Sequence, residues 1–336
     1  TVDPYQTFAL GTGSSTNSFD SAYVAPTEAS HFNILTDTLS LMLRNLALSN
    51  TSTYAAETIV SDASTGGLID RPQGIAIDDS GNIIVVNDFL NGIVRVVPDP
   101  DGDGPIGTTV ETIADSSTPG GTQLVRPTSV AIDSNGDLIV TEDVNDSIFK
   151  IDPSDGSVTT IANQSTSENV MLRPVDVKID SQGFLIVADA SSVSVLRVDP
   201  SDGSATNIAT VGGLFSSQPD GIAIDGHGNF FVADRGDRSI KKVDSSGNVT
   251  TIVDDTGSNF LISSPRDVEI DSYGLLVVAD PSTDSVLKVD PVSGDVKVIA
   301  DRDSTNEEIG DPIDIEIDSD GSIFVVDTDD DSIVKL

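Results

Sequence analysis

The chain has 336 residues, no cysteine, and 17 lysines and arginines against 55 aspartates and glutamates, which gives a formal net charge of −38. So large an excess of acid excludes partners that are bound through clustered phosphates, that is nucleic acids and anionic membrane surfaces. The lack of cysteine excludes disulfides, thiol catalysis and cysteine-ligated zinc.

The sequence contains no apolar run that approaches the roughly 20 residues of a membrane-spanning helix. The best candidate, residues 39–48, is short and contains Arg44. The first residue is Thr1 rather than methionine, which is typical of a mature chain whose signal peptide has been removed. Because salt screens an acidic surface, the composition also favours a saline medium. We expect a secreted protein, extracellular or at the cell surface.

Residues 1–25 form a polar segment rich in glycine and serine, with one strand-like patch at residues 5–10. A segment of this composition cannot bury a core of its own and needs a partner to become ordered. A short strand on a tether is suited to extending the sheet of a neighbouring molecule. We therefore expect Tyr5, Phe8 and Leu10 to contact another copy of the chain.

An amphipathic helix is predicted over about residues 28–48, with Thr27 as its N-cap. Its apolar positions at helical spacing are Phe32, Leu35, Leu39, Met42 and Leu46. So broad an apolar surface needs cover. We expect it to join copies head to tail, and such contacts produce a homopolymer because they do not close on themselves. The alternative is a helix that covers one face of its own subunit.

From residue 53 to the end of the chain, a unit of about 45 residues recurs six times. The units open with Pro72, Pro127, Pro174, Pro219, Pro265 and Pro312. Within each unit, short apolar runs separated by glycine-bearing turns predict four strands. This period is typical of the blades of a β-propeller. The predicted fold class is all-β, a six-bladed propeller over residues 53–336 that follows an N-terminal extension over residues 1–52.

The last unit ends after its third strand and therefore lacks an outer strand. The phrase ETIVSD at residues 57–62 matches the fourth-strand phrases of other units, such as ETIAD at residues 111–115 and TTIVD at residues 250–254. We predict that this N-terminal strand completes the sixth blade, which leaves the ring without an open edge.

The repeat pattern RPxxVxIDxxGxLIVAD, followed by SVLKVDP, resembles the NHL repeat over residues 57–336. The resemblance implies a six-bladed propeller. It does not specify a function, because related propellers include amidating-type lyases, lactonases and modules that only bind other molecules. Some lyases of the NHL type carry a metal ion on the axis of the ring, so the resemblance also allows for a metal ion at that position.

The first unit is lengthened by the stretch PDPDGDGPIG at residues 98–107. Asp99, Asp101 and Asp103, followed by Gly104, match the first half of an EF-hand calcium loop. The second half does not match, because position twelve is Val110. The stretch is predicted to be either a partial Ca²⁺-binding loop or a solvated acidic turn.

An aspartate recurs after the first and after the second strand of every unit. Residues that are present six times are expected to be structural, because a short Asp side chain caps turns and bonds to nearby backbone. Those after the first strand are Asp78, Asp133, Asp180, Asp225, Asp271 and Asp318. Those after the second strand are Asp88, Asp143, Asp189, Asp234, Asp280 and Asp327.

Charged residues interrupt the first strand of three units, where the other units have alanine; they are Lys178, Glu269 and Glu316. An acid stands two residues before each of them, at Asp176, Asp267 and Asp314. If the first strand borders the central channel, these groups lie near the axis. The five acids are then candidate ligands for Ca²⁺ through their carboxylate oxygens. The alternative is a solvated channel in which Lys178 partly neutralises them.

The sequence contains no recognisable set of catalytic residues. The histidines are His31, outside the repeats, and His227, in a turn, whereas lyases of related fold need several histidines at the channel mouth. No G-x-S-x-G nucleophile motif is present, so no catalytic residue is predicted.

The expected function is a secreted, non-enzymatic subunit that self-assembles into an extracellular filament or sheath. The alternatives are a ligand- or protein-binding propeller and a calcium-dependent hydrolase or lyase.

Overall fold

The computed structural model describes residues 40–49, 54–98, 108–118, 124–209, 218–305 and 308–336. Residues 40–49 form helix α1, which lies within the predicted helix; residues 28–39 fall outside the described part of the chain. None of the helices in the described ranges has the length and apolar character needed to cross a membrane.

The rest of the described chain forms six four-stranded antiparallel sheets, the blades of a propeller. Blade one contains β2 (Pro72–Ile77), β3 (Ile83–Asn87), β4 (Gly92–Val97) and β5 (Thr109–Ala114). Blade two contains β6 (Pro127–Ile132), β7 (Leu138–Glu142), β8 (Ser147–Ile151) and β9 (Val158–Ala162). Blade three contains β10 (Pro174–Ile179), β11 (Leu185–Asp189), β12 (Ser194–Val198) and β13 (Ala205–Ala209).

Blade four contains β14 (Pro219–Ile224), β15 (Phe230–Asp234), β16 (Ser239–Val243) and β17 (Val249–Asp254). Blade five contains β18 (Asp267–Ile270), β19 (Leu276–Asp280), β20 (Ser285–Val289) and β21 (Val296–Asp301). Blade six contains β22 (Pro312–Ile317), β23 (Ile323–Asp327), β24 (Ser332–Lys335) and β1 (Glu57–Ser61). A short helix α2 (Asp62–Thr65) follows β1.

The predicted closure of the ring is confirmed. β1 pairs antiparallel with β24, with Thr58 opposite Val334 and Ser61 opposite Ser332. Val60 is 1% exposed and packs in the core between blades six and one. The sixth blade is therefore held by strands from both ends of the propeller sequence.

The cores lie between neighbouring blades, and this explains the apolar runs. The second strand of each blade pairs on both sides and lies between two other blades, so that all five residues of β11, for example, are buried. The fourth strand forms the outer edge and is more exposed; in β13, Thr206 and Asn207 are exposed and only Ala209 is fully buried. Each pair of adjacent blades shares one apolar cluster.

The turns after the first strands are capped as predicted. In blade four, Asp225 Oδ1 accepts hydrogen bonds from the backbone N–H groups of His227 and Asn229, both at 2.9 Å. The same pair of bonds recurs at the corresponding aspartate of every blade. These turns form one face of the ring, which we call the lower face. The upper face carries the loops after the second and fourth strands.

The strand pairing shows that the aspartates predicted after the second strands do not all occupy the same position. The position in question is the last residue of the second strand, which in most blades pairs with the opening proline. In blades three to six this position is an aspartate, such as Asp189 opposite Pro174. In blades one and two it is Asn87 and Glu142 instead. Asp88 and Asp143 therefore lie one residue beyond the structural position, at the top of the ring.

Candidate functional site

The upper part of the central channel is lined by the third residue of each unit, counted from its opening proline. Going around the ring, these residues are Gly74, Ser129, Asp176, Gly221, Asp267 and Asp314. Each of the three acids accepts a backbone N–H from the first strand of the next blade, where the amide would otherwise be unpaired. The bonds run from Ile222 N to Asp176 Oδ2 (2.7 Å), from Ile315 N to Asp267 Oδ2 (3.0 Å) and from Ile75 N to Asp314 Oδ2 (2.7 Å).

Asp267 combines a structural oxygen with a free one. Its Oδ2 holds blade six, whereas its Oδ1 is buried and has no hydrogen-bond partner in the described part of the chain. This Oδ1 lies directly against Gly221, where an added Cβ would be 2.3 Å away. Burial raises the pKa of Asp267 to about 7, and the like charge of Asp176 adds to the effect of burial while Lys178 opposes it.

The other two carboxyl groups differ from Asp267 in how they are satisfied. Asp176 Oδ1 accepts a hydrogen bond from Ser129 Oγ at 2.6 Å and another from the backbone N–H of Val177 at 2.7 Å. Because Oδ2 accepts the backbone N–H of Ile222, both oxygens of Asp176 have partners. Asp314 is half-buried by accessible surface, but the narrow channel surrounds it with protein. Burial, reinforced by the charge of Asp267, raises the pKa of Asp314 well above its ordinary value.

The lower part of the channel carries the charged residues that replace alanine. Lys178 Nζ donates to Glu269 and lies 4.0 Å from Glu316 Oε2. Burial lowers the pKa of Lys178, but the surrounding carboxylates outweigh this effect and raise it well above its usual range. Burial raises the pKa of Glu316 to about 8, and it also raises the pKa of Glu269. Lys178 thus supplies the positive charge at this level of the axis.

The predicted calcium ligands are placed differently by the structure. Within the described ranges, no group of three or more histidines, aspartates or glutamates is arranged to hold a metal ion. The axial acids instead accept backbone N–H groups or pair with Lys178. Asp99, Asp101 and Asp103 fall outside the described residues. Calcium binding therefore stays a prediction.

Four arginines surround a cavity of about 190 Å³ at the upper mouth of the channel. They are Arg126, Arg173, Arg235 and Arg266, and their side chains are between 25% and 53% exposed. Asp143 and Asp220 also line the cavity and are almost fully buried. Deeper in the channel, the wall includes the carboxyl groups of Asp176, Asp267 and Asp314.

Ion pairs connect these arginines from blade to blade. Arg126 lies 3.4 Å from both Asp88 and Asp143, and Arg173 lies 3.5 Å from Asp143. On the other side of the mouth, Arg235 and Arg266 lie 2.9 Å and 3.6 Å from Asp220. A fifth arginine, Arg71, lies 3.2 Å from Asp88.

The charged groups at the mouth lie in two layers. The rim holds five arginines against three aspartates, and the wall below it holds the carboxyl groups of Asp176, Asp267 and Asp314. Arginines are thus concentrated at the outer rim, in a chain whose net charge is −38.

The repeat alignment did not identify these arginines, although it contains their signal. Arg71, Arg126 and Arg173 directly precede the opening proline, whereas Asp220 and Arg266 are the second residues of their units. Arg235 takes the position of Asp88 and Asp143 after the second strand. A comparison of the units at positions flanking the proline, rather than inside the strands, would have found the charged rim.

The predicted assembly residues are only partly within the described chain. Tyr5, Phe8, Leu10, Phe32, Leu35 and Leu39 lie outside it. Met42 and Leu46 are in α1 and are 64% and 67% exposed. Assembly through the N-terminal segment stays a prediction.

Solved structures share this fold at low sequence identity. Virginiamycin B lyase from Staphylococcus aureus is 14% identical, with a TM-score of 0.57 over 80% of each chain. A gluconolactonase from Xanthomonas campestris is 15% identical, with a TM-score of 0.61 over 85% of this chain and 98% of that chain. A protein of unknown function from Bacteroides thetaiotaomicron is 15% identical, with a TM-score of 0.66 over 83% of this chain and 74% of that chain.

Neither a protein-family model nor a curated protein sequence matches the chain. The resemblance to the NHL repeat is thus confirmed for the six-bladed fold and not for membership of that family. The prediction that the chain is not an enzyme is contradicted, because solved structures with the same fold include a lyase and a gluconolactonase. That prediction relied on missing histidines, did not consider the arginines at the mouth, and treated the axial carboxyl groups only as candidate metal ligands.

Proposed function

We propose that the protein is an enzyme of the lyase or lactonase class, which binds a small anionic substrate at the upper mouth and transfers a proton with Asp267 and Asp314. One observation carries the proposal: a single cavity combines four arginines at its rim with three carboxyl groups in its wall. The similar folds of a lyase and a gluconolactonase support it.

Substrate binding follows from the chemistry of the rim. A guanidinium group is planar and offers paired donors that match a carboxylate. Asp143 and Asp220 hold the arginines in place and are themselves almost fully buried, at 4% and 8% exposure. Arginines that are already oriented lose less side-chain entropy when a ligand binds. A cavity of about 190 Å³ admits only a small reacting group.

Proton transfer follows from the unequal carboxyl groups. A pKa of about 7 leaves Asp267 partly ionised at neutral pH, and its buried Oδ1 is free to accept a proton. Burial raises the pKa of Asp314 well above its ordinary value, which favours the protonated form that a general acid requires.

The same groups fit both reaction classes. In an elimination, Asp267 removes a proton next to a carbonyl group and the arginines stabilise the negative charge that develops. A double bond forms as the C–O bond at the adjacent carbon breaks, and Asp314 donates a proton to the oxygen that leaves. In lactone hydrolysis, Asp267 takes a proton from a water molecule that attacks the carbonyl carbon, the ring C–O bond breaks, and Asp314 donates a proton to the alkoxide oxygen. Running the reaction in ¹⁸O-labelled water separates the two, because hydrolysis places the label in the product carboxylate and elimination does not.

Asp267→Asn tests the proposal, because the amide preserves shape but cannot act as a base. With a panel of lactones and small esters that each carry a free carboxylate, we expect the rate of acid release to fall by about 100-fold or more. Asp320→Asn, an exposed lower-face variant, is the matched control and should keep the wild-type rate. Equal rates in Asp267→Asn and wild type would remove Asp267 from the reaction. No acid release by the wild-type protein from any lactone or ester would overturn the reaction class.

A further inference from the structure

The upper face exposes large apolar side chains next to the arginines. In the described part of the propeller, Phe89 is 62% exposed, Leu90 36%, Val144 48% and Leu172 38%. Phe89 and Leu90 follow Asp88, Val144 follows Asp143, and Leu172 precedes Arg173. The four residues thus belong to consecutive blades, one to three, on one side of the mouth.

The fold does not require apolar residues at the positions of Phe89 and Val144. Both stand two residues beyond the end of the second strand, and the other blades have Ser191, Gly236, Ser282 and Asp329 there. All six turns share one backbone feature, because two residues further on each has a residue of positive φ: Asn91, Asp146, Val193, Arg238, Asp284 and Asp331. The apolar side chains therefore do not serve the turn.

Contacts connect this apolar patch to the charged rim. The guanidinium of Arg71 lies 5.3 Å from the centroid of the Phe89 ring, within the range of a cation–π interaction. Asn91, at the end of the same turn, accepts a hydrogen bond from the backbone N–H of Arg126 at 2.9 Å. Blade one thus presents an apolar surface whose neighbours are cationic.

We infer that the patch formed by Phe89, Leu90, Val144 and Leu172 binds the apolar part of an anionic substrate, whose charged group is held by the arginines of the rim. This inference rests on the proposed function and adds the substrate class: an amphiphilic ester or lactone that also carries a free carboxylate, rather than a sugar acid. A sugar acid exposes hydroxyl groups along its whole length and gains nothing from Phe89 or Val144, whereas an acyl or aromatic group gains by leaving water.

Calorimetric titration with acetate and octanoate tests the inference, because both present a carboxylate and only octanoate has an apolar chain. We expect octanoate to bind the wild-type protein at least about tenfold more tightly than acetate. The double variant Phe89→Ser/Val144→Ser should lose most of this difference and keep its affinity for acetate. Tyr273→Ser/Val292→Ser is the matched control on the lower face, where these residues are 51% and 71% exposed, and should behave as wild type.

The outcomes separate the inference from the proposed function. If both carboxylates bind with equal affinity, or if the double variant keeps the preference for octanoate, the inference is overturned and the anion site stands. If neither binds the wild-type protein, the anion site fails and the inference fails with it. A preference for octanoate that is lost only in Phe89→Ser/Val144→Ser supports both.

Discussion

Asp267 shows how one side chain serves both the ring and the site. Its Oδ2 fastens the first strand of blade six, and its Oδ1 stays unpaired at the wall of the upper cavity. The close approach of this carboxyl group to the neighbouring blade is possible only because Gly221 has no side chain. The geometry of the free oxygen therefore depends on a residue that has no chemistry of its own.

Gly221→Ala is expected to disturb both functions of Asp267. The new Cβ would lie 2.3 Å from Asp267 Oδ1 and 2.5 Å from its Cα, so backbone must move. We expect a loss of about 1–3 kcal/mol in the free energy of unfolding, measured by urea titration. Gly226→Ala is the control in the same blade, where an added Cβ meets nothing within 4 Å. Equal stability of the two variants would show that the contact is not tight.

Individual functional residues were the part that sequence reasoning predicted least well. The acids at Asp176, Asp267 and Asp314 were placed near the axis from their position in the first strand, and they do line the channel. Their bonds to the next blade were not foreseen, because a repeat alignment does not show which backbone groups lack partners. Asp88 and Asp143 were aligned with the structural aspartates of the other units, one residue too far along the chain. The reason is that the true position holds Asn87 and Glu142 in these two units, and an aspartate follows directly after each.

At the scale of the elements, prediction succeeded because the repeat and the strand period agree. Four apolar runs per unit, each ended by a turn signal, leave few other folds. The match between residues 57–62 and the other fourth strands predicted the pairing of β1 with β24, although residues such as Thr58 and Val334 are far apart in sequence. Helix α1 is described only over residues 40–49, so the predicted start of the helix stays untested.

The closing strand is expected to be essential for stability. Val60→Asp places an unpaired carboxyl group in the core between blades six and one, where Val60 is 1% exposed. We expect a loss of at least about 3 kcal/mol, seen as a fall in Tm on the order of 10 °C. Glu57→Gln, an exposed change in the same strand, should leave the Tm unchanged. A Val60→Asp protein with the wild-type Tm would mean that blade six holds without β1.

For the whole molecule, stability should fall as pH rises from about 4 to about 8. Burial raises the pKa of Glu142 and Asp267 to about 7 and that of Glu316 to about 8. In the unfolded chain these groups titrate near pH 4. A raised folded pKa gives stability that is complete below the unfolded value and is lost as pH rises through the folded value.

The turn aspartates affect stability in the opposite, acidic pH range. Hydrogen bonds from turn residues lower the pKa of Asp115, Asp152, Asp202, Asp244 and Asp254. Their contribution is present above about pH 4 and is lost below it. Both sets of groups therefore favour mildly acidic conditions.

We expect the urea midpoint at constant ionic strength to be highest near pH 5 and to fall by pH 9, by an amount on the order of a few kcal/mol. Glu316→Gln removes one of the groups that titrate near pH 8, so it should reduce the fall at the alkaline end. A midpoint that is constant or rises between pH 5 and pH 9 would show that the axial carboxyl groups are not buried as described.

The pairing of β1 with β24 also determines when the protein can finish folding during its synthesis. Blades form from consecutive strands and can assemble one after another as the chain leaves the ribosome. β1 emerges before all of them, yet its partner β24 ends at Lys335, after every other strand of the propeller. The first strand must therefore wait, unpaired, until the sixth blade has been synthesised, and the ring closes by joining its first and its last strand.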